Sequence, residues 1–523
     1  MRPAAADGGR PVLTGRRERA ISLLRGLNPL LHPILLAAYP VLSLFQHNQA
    51  EVDLKVLWRS LAPAAASGAA LFVLFMLLLK RGSKAGVLAS LVVVAFFYYG
   101  RFHGRGSGWG LSDRELFPVW TALFVLGAFA VLRTKSDLVN LNRVLSAVAA
   151  AVLLVPVSKI VIYRIDHPPV RISDPRLWPT GLREPRRASD VRRPDIYFII
   201  PDDYARPDIL KRYFHYDDSG FVRQLEQRGF VVAAQARSPY SKSEFNMAST
   251  LNLDYLSRLP KILGKSSQDV LLVRKMIEDS RASRLLEKLG YRYFHLDSDN
   301  ITFAADNPHI STLAAPDNLT YLWLRGSVLR LVGGRYGFDE GATNERFRRS
   351  VRSAFAQLGA LAGERGPKFV LFHTLMPHDP YIFGARGQSV TFPDRSDTGH
   401  STRRGMRYYV RQLRFVNRKL LEATDAILAH SRTPPIIVIQ SDEGFEALPE
   451  DWGETAVRDM RVKGLSAFYL PGAPKARLPQ KLNTVNSFRF LFNRYFGTHY
   501  ALLKSASYPE LDLPYQFRAM HVR

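Results

Sequence analysis

The chain of 523 residues contains no cysteine. A disulfide framework, a thiolate metal site and a cysteine nucleophile are therefore excluded. Acidic residues are also few, because 46 aspartates and glutamates stand against 72 lysines and arginines and leave a formal net charge of +26. This charge suits a protein that acts on anionic lipid or a phosphorylated polymer, although a compositional bias toward arginine explains it equally well. No recognisable nucleic-acid-binding module accompanies the charge, so we expect no nucleic-acid partner.

Long apolar runs are confined to the first third of the sequence. Most of them approach the roughly 20 residues that an α-helix needs to cross a bilayer. They lie at 27–45, 61–79, 85–99, 116–132 and 144–162. The five runs predict about five transmembrane helices. The number is approximate because the third run is short and prolines interrupt the first. The first run lacks a small-residue cleavage site and further runs follow it, so we expect no cleavable signal.

Basic residues indicate the orientation of these helices. Arginines precede the first run, and further basic clusters lie between the second and third runs and between the fourth and fifth. Short loops rich in lysine and arginine tend to stay in the cytoplasm. This pattern predicts a multi-pass protein of a bacterial-type cell membrane with its N-terminus in the cytoplasm. An odd number of spans then places everything after Ile162 outside the cell.

The remainder of the chain alternates strand-like and helical runs. Strand-like segments such as "DIYFII" and "PIIVIQ" are separated by amphipathic stretches such as 404–430. This alternation predicts an α/β domain with a mainly parallel central sheet. The predicted regions are a basic cytoplasmic N-terminus (1–26), a transmembrane domain (27–163), a linker rich in proline and arginine (164–193) and an extracytoplasmic domain (194–523).

Two of the predicted strands end in paired acids. "DIYFII" leads through Pro201 into Asp202 and Asp203, and "PIIVIQ" leads into Asp442 and Glu443. In open α/β sheets the reactive groups gather at the carboxyl ends of strands. A single carboxylate there is usually a helix cap or a turn residue. Several carboxylates brought together would repel one another, and a divalent cation is the simplest compensation.

A serine near a predicted helix start could supply the reacting atom. The segment 236–256 passes from a strand into a helix, with Ser241 or Ser243 near the beginning of that helix. A helix N-terminus favours a bound anion such as phosphate, and a metal-bound hydroxyl is more easily deprotonated. A serine can then act as a nucleophile without a histidine base. The alternative role for either serine is a plain helix cap.

Histidines follow another predicted strand in the segment "LFHTLMPHDPY", residues 371–381. His378 lies beyond the strand end, where it could donate a hydrogen bond to a phosphoryl oxygen or a leaving group. His373 lies inside the strand, and we expect it to be a packed core residue. Other polar residues could line the same pocket, although residues of these types lie more often at the surface or in the core. They are Asp203, Arg206, His295, Asp297 and His309.

Five segments in this order resemble membrane-anchored, sulfatase-like members of the alkaline phosphatase superfamily. That group contains the lipoteichoic acid synthases and the phosphoethanolamine transferases. The resemblance covers most of 194–523, and the five-span anchor with an external domain is similar to lipoteichoic acid synthase. The segments are "PDIYFIIPDDYAR", "RSPYSKSEFNMASTLNLDYL", "KFVLFHTLMPHDPY", "YVRQLRFVNRKLLEATDAIL" and "PPIIVIQSDEG".

The resemblance implies roles for five residues. Asp202 matches the first metal carboxylate, and Ser243 matches the nucleophile, which also binds the metal and is usually threonine in relatives. Asp442 matches the next metal ligand. Glu443 occupies the position at which relatives commonly have the histidine of an Asp-His-Gly motif. His378 matches the histidine that contacts the transferred group.

The substitution at Glu443 affects the expected metal. A shell made of Asp202, Ser243, Asp442 and Glu443 contains oxygen atoms only, which favours Mn²⁺ or Mg²⁺ over Zn²⁺, with Ca²⁺ as an alternative. The same substitution leaves open an alternative function, a non-catalytic envelope sensor or scaffold that keeps the fold.

The resemblance implies phosphoryl chemistry more than sulfate-ester hydrolysis. True sulfatases depend on a modified residue in a Cys/Ser-x-Pro/Ala-x-Arg motif, which is absent from 237–250. Ser243 would attack phosphorus, and the phosphoserine would pass its group to water or to an acceptor alcohol. Because ATP is not readily supplied outside the cell, we expect a lipid-linked or polymer-linked phosphodiester substrate, including anionic membrane lipid.

Overall fold

The structure is a computed structural model. It describes residues 12–102, 112–178, 193–298, 318–332, 340–390, 403–445, 460–472, 478–508 and 513–519, with residues 453 and 457. The chain divides into two compact units. One comprises Met1–Asp166 with Pro316–Asp339, and the other comprises His167–Ala315 with Glu340–Arg523.

The first unit is built from apolar helices that coincide with the predicted runs. They are α1 (Val12–His47), α2 (Leu54–Leu79), α3 (Gly82–Phe97), α4 (Asp113–Arg133) and α5 (Val139–Asp166). Four of them, α1, α2, α4 and α5, are long and apolar enough to cross a membrane, whereas α3 has only 16 residues. The number of passes therefore stays a prediction.

The outward faces of α2, α4 and α5 are strongly apolar. Leu77, Leu126 and Leu154 are 70%, 65% and 64% exposed, and similar side chains surround them. An apolar surface of this size is unfavourable in water, whereas a helix satisfies its own backbone groups in lipid. In contrast, Val41 and Phe45 of α1 are fully buried. These features identify the chain as a membrane protein.

The second unit contains a six-stranded sheet, which confirms the predicted α/β class. Its strands are β1 (Ile196–Asp202), β2 (Phe230–Val232), β3 (Arg292–Asp297), β4 (Lys368–Pro377), β5 (Ile436–Gln440) and β6 (Ser466–Tyr469). Their order is β2-β6-β5-β1-β4-β3. The β1–β4, β1–β5 and β3–β4 pairs are parallel, and β6 is antiparallel to both of its neighbours. Five of the described strands therefore run in one direction.

Helices cover both faces of this sheet, so its central strands are buried on both sides. Every residue of β1 and β5 is buried, as expected for apolar strands of a mainly parallel sheet. Phe198 and Tyr197 point to opposite faces, and each belongs to a separate apolar cluster. The helices are α6 (Pro207–Tyr213), α7 (Ser219–Gln227), α8 (Ser243–Leu251), α9 (Leu259–Leu263), α10 (Leu271–Glu278), α11 (Arg281–Lys288), α13 (Glu340–Leu361), α14 (Arg403–His430) and α15 (Ser487–Tyr495).

One helix of the predicted extracytoplasmic region packs with the first unit instead. In α12 (Asn318–Arg325), the Thr320 hydroxyl lies 2.7 Å from that of Ser60 in α2. The Trp323 ring stacks on Phe97 of α3 with 5.1 Å between centroids. Ser60 is near the start of α2 and Phe97 is at the end of α3. The segment therefore docks at the ends of these helices that lie away from the α2–α3 connection.

Part of the predicted linker packs with the second unit. Leu177 is buried and belongs to the apolar core of the second unit, and Trp178 packs against that core. The Trp178 indole donates a hydrogen bond to the Ile172 carbonyl at 3.0 Å. This part of the linker is thus attached to the second unit, and residues 179–192 lie outside the described residues.

Candidate active site

The first and fifth strands bring their terminal acids to one edge of the sheet. Ile196 of β1 is in register with Ile436 of β5, and the two strands run in parallel. Asp202 ends β1, and Asp442 follows two residues after the end of β5. The Ser441 hydroxyl connects the two strand ends, since it lies 2.9 Å from the Pro201 carbonyl oxygen and accepts a hydrogen bond from the Tyr204 amide at 2.9 Å.

Ser243 is the first residue of α8, and its hydroxyl points at the acids. Its Oγ lies 2.8 Å from Oε1 of Glu443 and 3.2 Å from Oδ1 of Asp202. A hydroxyl has a single proton, which it can donate to only one of these oxygens at a time. The shorter contact is to Glu443. Ser243, one of the two serines that the sequence offered, thus contacts both carboxylates.

His373 of β4 joins the same cluster. Its Nε2 lies 3.9 Å from Oδ2 of Asp202 and 3.8 Å from Oδ2 of Asp442. The ligand atoms of these three residues all lie within 4.8 Å of one another. His373 is buried, as predicted, but its side chain lies beside the acids, so treating it as packing alone was incomplete. The cluster contains an imidazole nitrogen and therefore differs from the predicted oxygen-only shell.

The electrostatics of the cluster fit a divalent metal ion. Burial, followed by the nearby Asp442 carboxylate, raises the pKa of Asp202 to about 7. Among the described residues, Oδ2 of Asp442 accepts no hydrogen bond, although Oδ1 accepts one from the Glu443 amide at 2.9 Å. Two buried carboxylates that oppose each other are stabilised by a cation between them. Asp202, His373 and Asp442 offer donor atoms of the types that divalent metals bind.

His378 lies beside this cluster and outside the group of candidate ligands. Its charge is among the influences that lower the pKa of Asp202, against the larger effect of burial. Its Nδ1 lies 2.9 Å from Oδ1 of Asp379. The backbone oxygen of His378 accepts a hydrogen bond from Nε2 of Gln412 at 2.7 Å. The imidazole is therefore anchored at one nitrogen, and its predicted contact with the transferred group stays a prediction.

Two residues of α14 hold the loops of the site, and the sequence reasoning missed both. Gln412 fixes the β4 loop, because its Oε1 also accepts a hydrogen bond from the Ile382 amide at 2.9 Å. Tyr409 fixes the β1 loop by donating a hydrogen bond to the Asp203 carbonyl at 2.8 Å. Both residues lie in the segment "YVRQLRF". The sequence could have indicated them, because an amide and a phenol on the apolar face of a helix need buried hydrogen-bond partners.

Two of the remaining predicted pocket residues contact other groups of the second unit. Arg206 pairs with Asp208 at 2.6 Å and donates to the Ala236 carbonyl at 2.8 Å. His295 is buried in β3, where its ring stacks on Tyr293. The remaining three are Asp203, which is buried with φ at 60°, Asp297, whose side chain is not described, and His309, which lies outside the described residues.

The glycine after Glu443 is required by close backbone packing. A Cβ atom on Gly444 would lie 2.0 Å from the Met460 carbonyl oxygen. The Gly444 amide donates a hydrogen bond to the Arg461 carbonyl at 2.6 Å. Only glycine allows an approach this close. The packing holds the turn that presents Asp442 and Glu443.

Comparison with known proteins gave matches among solved structures only. No protein-family model and no curated protein matched the chain. The C-terminal periplasmic domain of EcEptC from Escherichia coli, in complex with Zn, matches with a TM-score of 0.39 and 11% identity, covering 61% of this chain and 86% of that chain. The integral membrane lipooligosaccharide phosphoethanolamine transferase A (EptA) from Neisseria meningitidis matches with a TM-score of 0.39 and 11% identity, over 85% of this chain and 89% of that one.

A phosphonate monoester hydrolase from Agrobacterium radiobacter is also similar. It matches with a TM-score of 0.38 and 12% identity, over 59% of this chain and 74% of that chain. The structural neighbours thus include phosphoethanolamine transferases and a hydrolase, and one of them is an integral membrane protein.

Proposed function

We propose that the chain is a membrane-anchored, metal-dependent phosphotransferase or phosphohydrolase. It would transfer or hydrolyse the phospho-head group of a lipid-linked or polymer-linked phosphodiester of the cell envelope through Ser243. The observation that supports this function best is the convergence of Ser243 on Glu443 at 2.8 Å and on Asp202 at 3.2 Å. A nucleophile in contact with a base, beside a group of metal ligands, is the arrangement expected of a covalent phosphoryl-transfer site.

The candidate ligands of the metal are Asp202, His373 and Asp442. A bound divalent metal would neutralise charge on the phosphate and favour the ionised form of the serine hydroxyl. The predicted Mn²⁺ or Mg²⁺ rested on an oxygen-only shell, whereas imidazole suits Zn²⁺ and carboxylates suit Mn²⁺. We therefore propose Mn²⁺ or Zn²⁺ for a mixed shell of this kind, with Mg²⁺ and Ca²⁺ as weaker fits.

Two residues would move protons in this reaction. Oε1 of Glu443 would take the hydroxyl proton of Ser243 as Oγ forms a bond to phosphorus and the bond to the leaving oxygen breaks. His378, when protonated, would give its proton to that leaving oxygen. In the second half-reaction, water or an acceptor alcohol would attack phosphorus and give its proton to His378, while the bond between phosphorus and Oγ breaks and Ser243 regains the proton held by Glu443. The role of Glu443 would thus be that of a proton acceptor, which differs from the ligand role implied by the resemblance.

The scaffold alternative has less support from the site. It rested on the replacement of the usual histidine by Glu443. The glutamate contacts the proposed nucleophile, and His373 offers the imidazole that the Asp-Glu-Gly sequence lacks. A chain that kept only the fold would not need buried acids and a histidine arranged in this way, since uncompensated buried charge is destabilising.

Covalent trapping tests the proposed function. Purified full-length wild type, Ser243→Ala and Ser241→Ala would be incubated with envelope phospholipids that carry a labelled head group, and then quenched in acid. We expect label on the wild type and on Ser241→Ala, and none on Ser243→Ala, because Ser243 is the proposed nucleophile and its hydroxyl contacts Glu443 and Asp202. Equal labelling of all three proteins would exclude Ser243 as the nucleophile.

The docking of α12 supports an extracytoplasmic catalytic unit. This helix contacts Ser60 near the start of α2 and Phe97 at the end of α3. The basic connection between α2 and α3, which the charge pattern assigns to the cytoplasm, lies at the other ends of these helices. With the predicted orientation, α12 would lie on the external side, which supports the proposal that the region around it is extracytoplasmic.

A further inference from the structure

The exposed face of α14 carries six arginines in one row, which we call the arginine stripe. From residue 403 to residue 419 the helix has seven basic residues and no acidic one. At 100° per residue, the six arginines fall within an arc of about 100°, and they extend over about 22 Å at 1.5 Å per residue. All are exposed except Arg418, which is partly exposed. The members are Arg403, Arg404, Arg407, Arg411, Arg414 and Arg418.

The stripe is unfavourable for the isolated helix. Arginines three and four residues apart repel one another, and Arg403 and Arg404 lie in the first turn, at the positive end of the helix dipole. No acidic residue occupies that first turn. Among the described residues, Arg418 is the member of the stripe that pairs with a carboxylate, that of Glu422 at 3.6 Å. An ordinary solvated helix face intersperses acids with bases, so this arrangement indicates an anion supplied from outside the chain.

Aromatic rings hold three of the guanidinium groups in place. The guanidinium carbon of Arg411 lies 5.4 Å from the centroid of the Tyr408 ring, and that of Arg414 lies 5.1 Å from the Tyr216 ring. Arg418 lies over Phe415 at 5.6 Å. Stacking of this kind reduces the rotamer freedom of arginine and leaves its N–H edges available, which suits recognition of phosphate groups.

The other face of α14 restricts the kind of partner. Its apolar side chains Leu413, Val416, Leu420 and Ile427 are buried in the core of the second unit. A helix that binds a membrane surface inserts its apolar face among the lipids, and here that face is already occupied. What the helix offers to a partner is a narrow, straight row of positive charge, which matches the shape of an extended chain.

We infer that the arginine stripe binds a linear, phosphate-bearing polymer along α14. The same helix fixes the loops of the proposed active site through Tyr409 and Gln412. The polymer would therefore be bound by α14, the helix that positions the loops of the proposed active site. The polymer could be the substrate itself or a carrier of it. A charged bilayer surface is the competing partner, and the experiment distinguishes the two.

The test measures binding of labelled linear inorganic polyphosphate to the full-length protein in nanodiscs of zwitterionic lipid. EDTA is present so that divalent cations do not contribute. The variant Arg403→Gln/Arg407→Gln/Arg411→Gln should bind at least tenfold more weakly than the wild type. Its slope of log affinity against log salt should fall by about 2, since each lost phosphate contact to a flexible chain removes about 0.7. Ser243→Ala should bind like the wild type, which separates this result from the proposed chemistry.

A matched control removes the same charge elsewhere in the second unit. Arg223, Arg365 and Arg432 are exposed and lie outside α14, and their combined replacement by glutamine should change the affinity less than twofold. The variant with lysine at 403, 407 and 411 should fold and bind with intermediate affinity. Equal weakening by the stripe and control variants would overturn the inference. It would also fail if the stripe variant lost binding to anionic vesicles but kept its affinity for polyphosphate.

Discussion

At the scale of single residues, the adjacent acids Asp442 and Glu443 have different contacts in the candidate site. Asp442 lies with Asp202 and His373 at metal-binding spacing, whereas Glu443 contacts the hydroxyl of Ser243. The turn after β5 directs the two side chains to different partners, so we expect them to have different roles. Variants at the two positions should therefore have different effects.

Glu443→Gln should lower turnover by at least about 100-fold, because a general base contributes roughly that much and glutamine cannot take the proton. Its metal content should stay at the wild-type level, since Glu443 is not part of the ligand group. Turnover with a labelled phospholipid and metal content by mass spectrometry are the two measurements. Asp442→Asn is the comparison, and it should lose metal as well as activity. If Glu443→Gln lost metal to the same extent, Glu443 would be a ligand, as the resemblance implied.

His373→Ala should weaken binding of Mn²⁺ or Zn²⁺ at least tenfold, because it removes the one nitrogen donor of the group. His295→Ala is the matched control, since it removes a buried histidine of the neighbouring strand β3 that is not in the ligand group. Equilibrium dialysis of the two purified variants measures the difference directly. Similar affinities for the two variants would exclude His373 from the metal shell.

The sequence identified the acids of the site more readily than the histidine. Asp202 and Asp442 follow apolar runs, and the ends of such runs are visible in sequence. His373 lies within the run that forms β4, and the parallel pairing of β4 with β1 sets it opposite Ile200, two residues before Asp202. The pairing of two strands is not visible in the sequence of one strand alone.

At the scale of elements, the connection after β1 is held by a buried polar group. Asp218 accepts hydrogen bonds from the Tyr204 hydroxyl at 2.8 Å and from the Asn417 side chain at 2.7 Å. Burial raises the pKa of Asp218 to about 6, against the opposing effect of these hydrogen bonds. Asp218 thus connects the β1 loop to α14, and its raised pKa makes the strength of this connection depend on pH.

The sign of this coupling follows from the raised pKa. The folded protein binds the Asp218 proton more tightly than the unfolded chain, so its contribution to stability is greatest below about pH 4 and falls as the pH rises toward 6. The total change is about 3 kcal/mol. The stability of Asp218→Asn should not show this decrease with pH, because asparagine does not titrate. Thermal unfolding of both full-length proteins between pH 4 and pH 7 measures it, and parallel curves for the two would contradict the assignment.

Apolar runs located the strands and the long helices, but local pattern did not reveal where every element packs. The amphipathic helix α12 lies in the middle of the region assigned to the soluble domain, yet Trp323 packs on Phe97 of the helical unit. Leu177 lies in a segment without strand or helix period, yet it is buried in the core. In both cases the partner is far away in sequence, so the contact depends on the tertiary structure.

At the scale of the whole molecule, the mechanism requires the second unit to lie outside the cell. The support is the distribution of basic residues together with the docking of α12 at the less basic ends of the helices. The argument from α12 also takes the cytoplasmic side from the charge pattern, but it does not depend on the number of spans. An experiment on membrane sidedness decides whether a lipid-linked donor on the outer surface is accessible to Ser243.

The absence of cysteine makes this experiment direct, because any introduced cysteine is the only thiol in the chain. Glu51→Cys lies between α1 and α2, Lys135→Cys lies between α4 and α5, and Arg365→Cys lies in the second unit, and all three positions are exposed. A membrane-impermeant maleimide should label positions 51 and 365 in intact spheroplasts and position 135 only after the membrane is opened. Labelling of position 135 alone in intact spheroplasts would place the second unit in the cytoplasm. The source of the phosphoryl group would then have to be a cytoplasmic donor, and an envelope polymer could no longer be the partner of the arginine stripe.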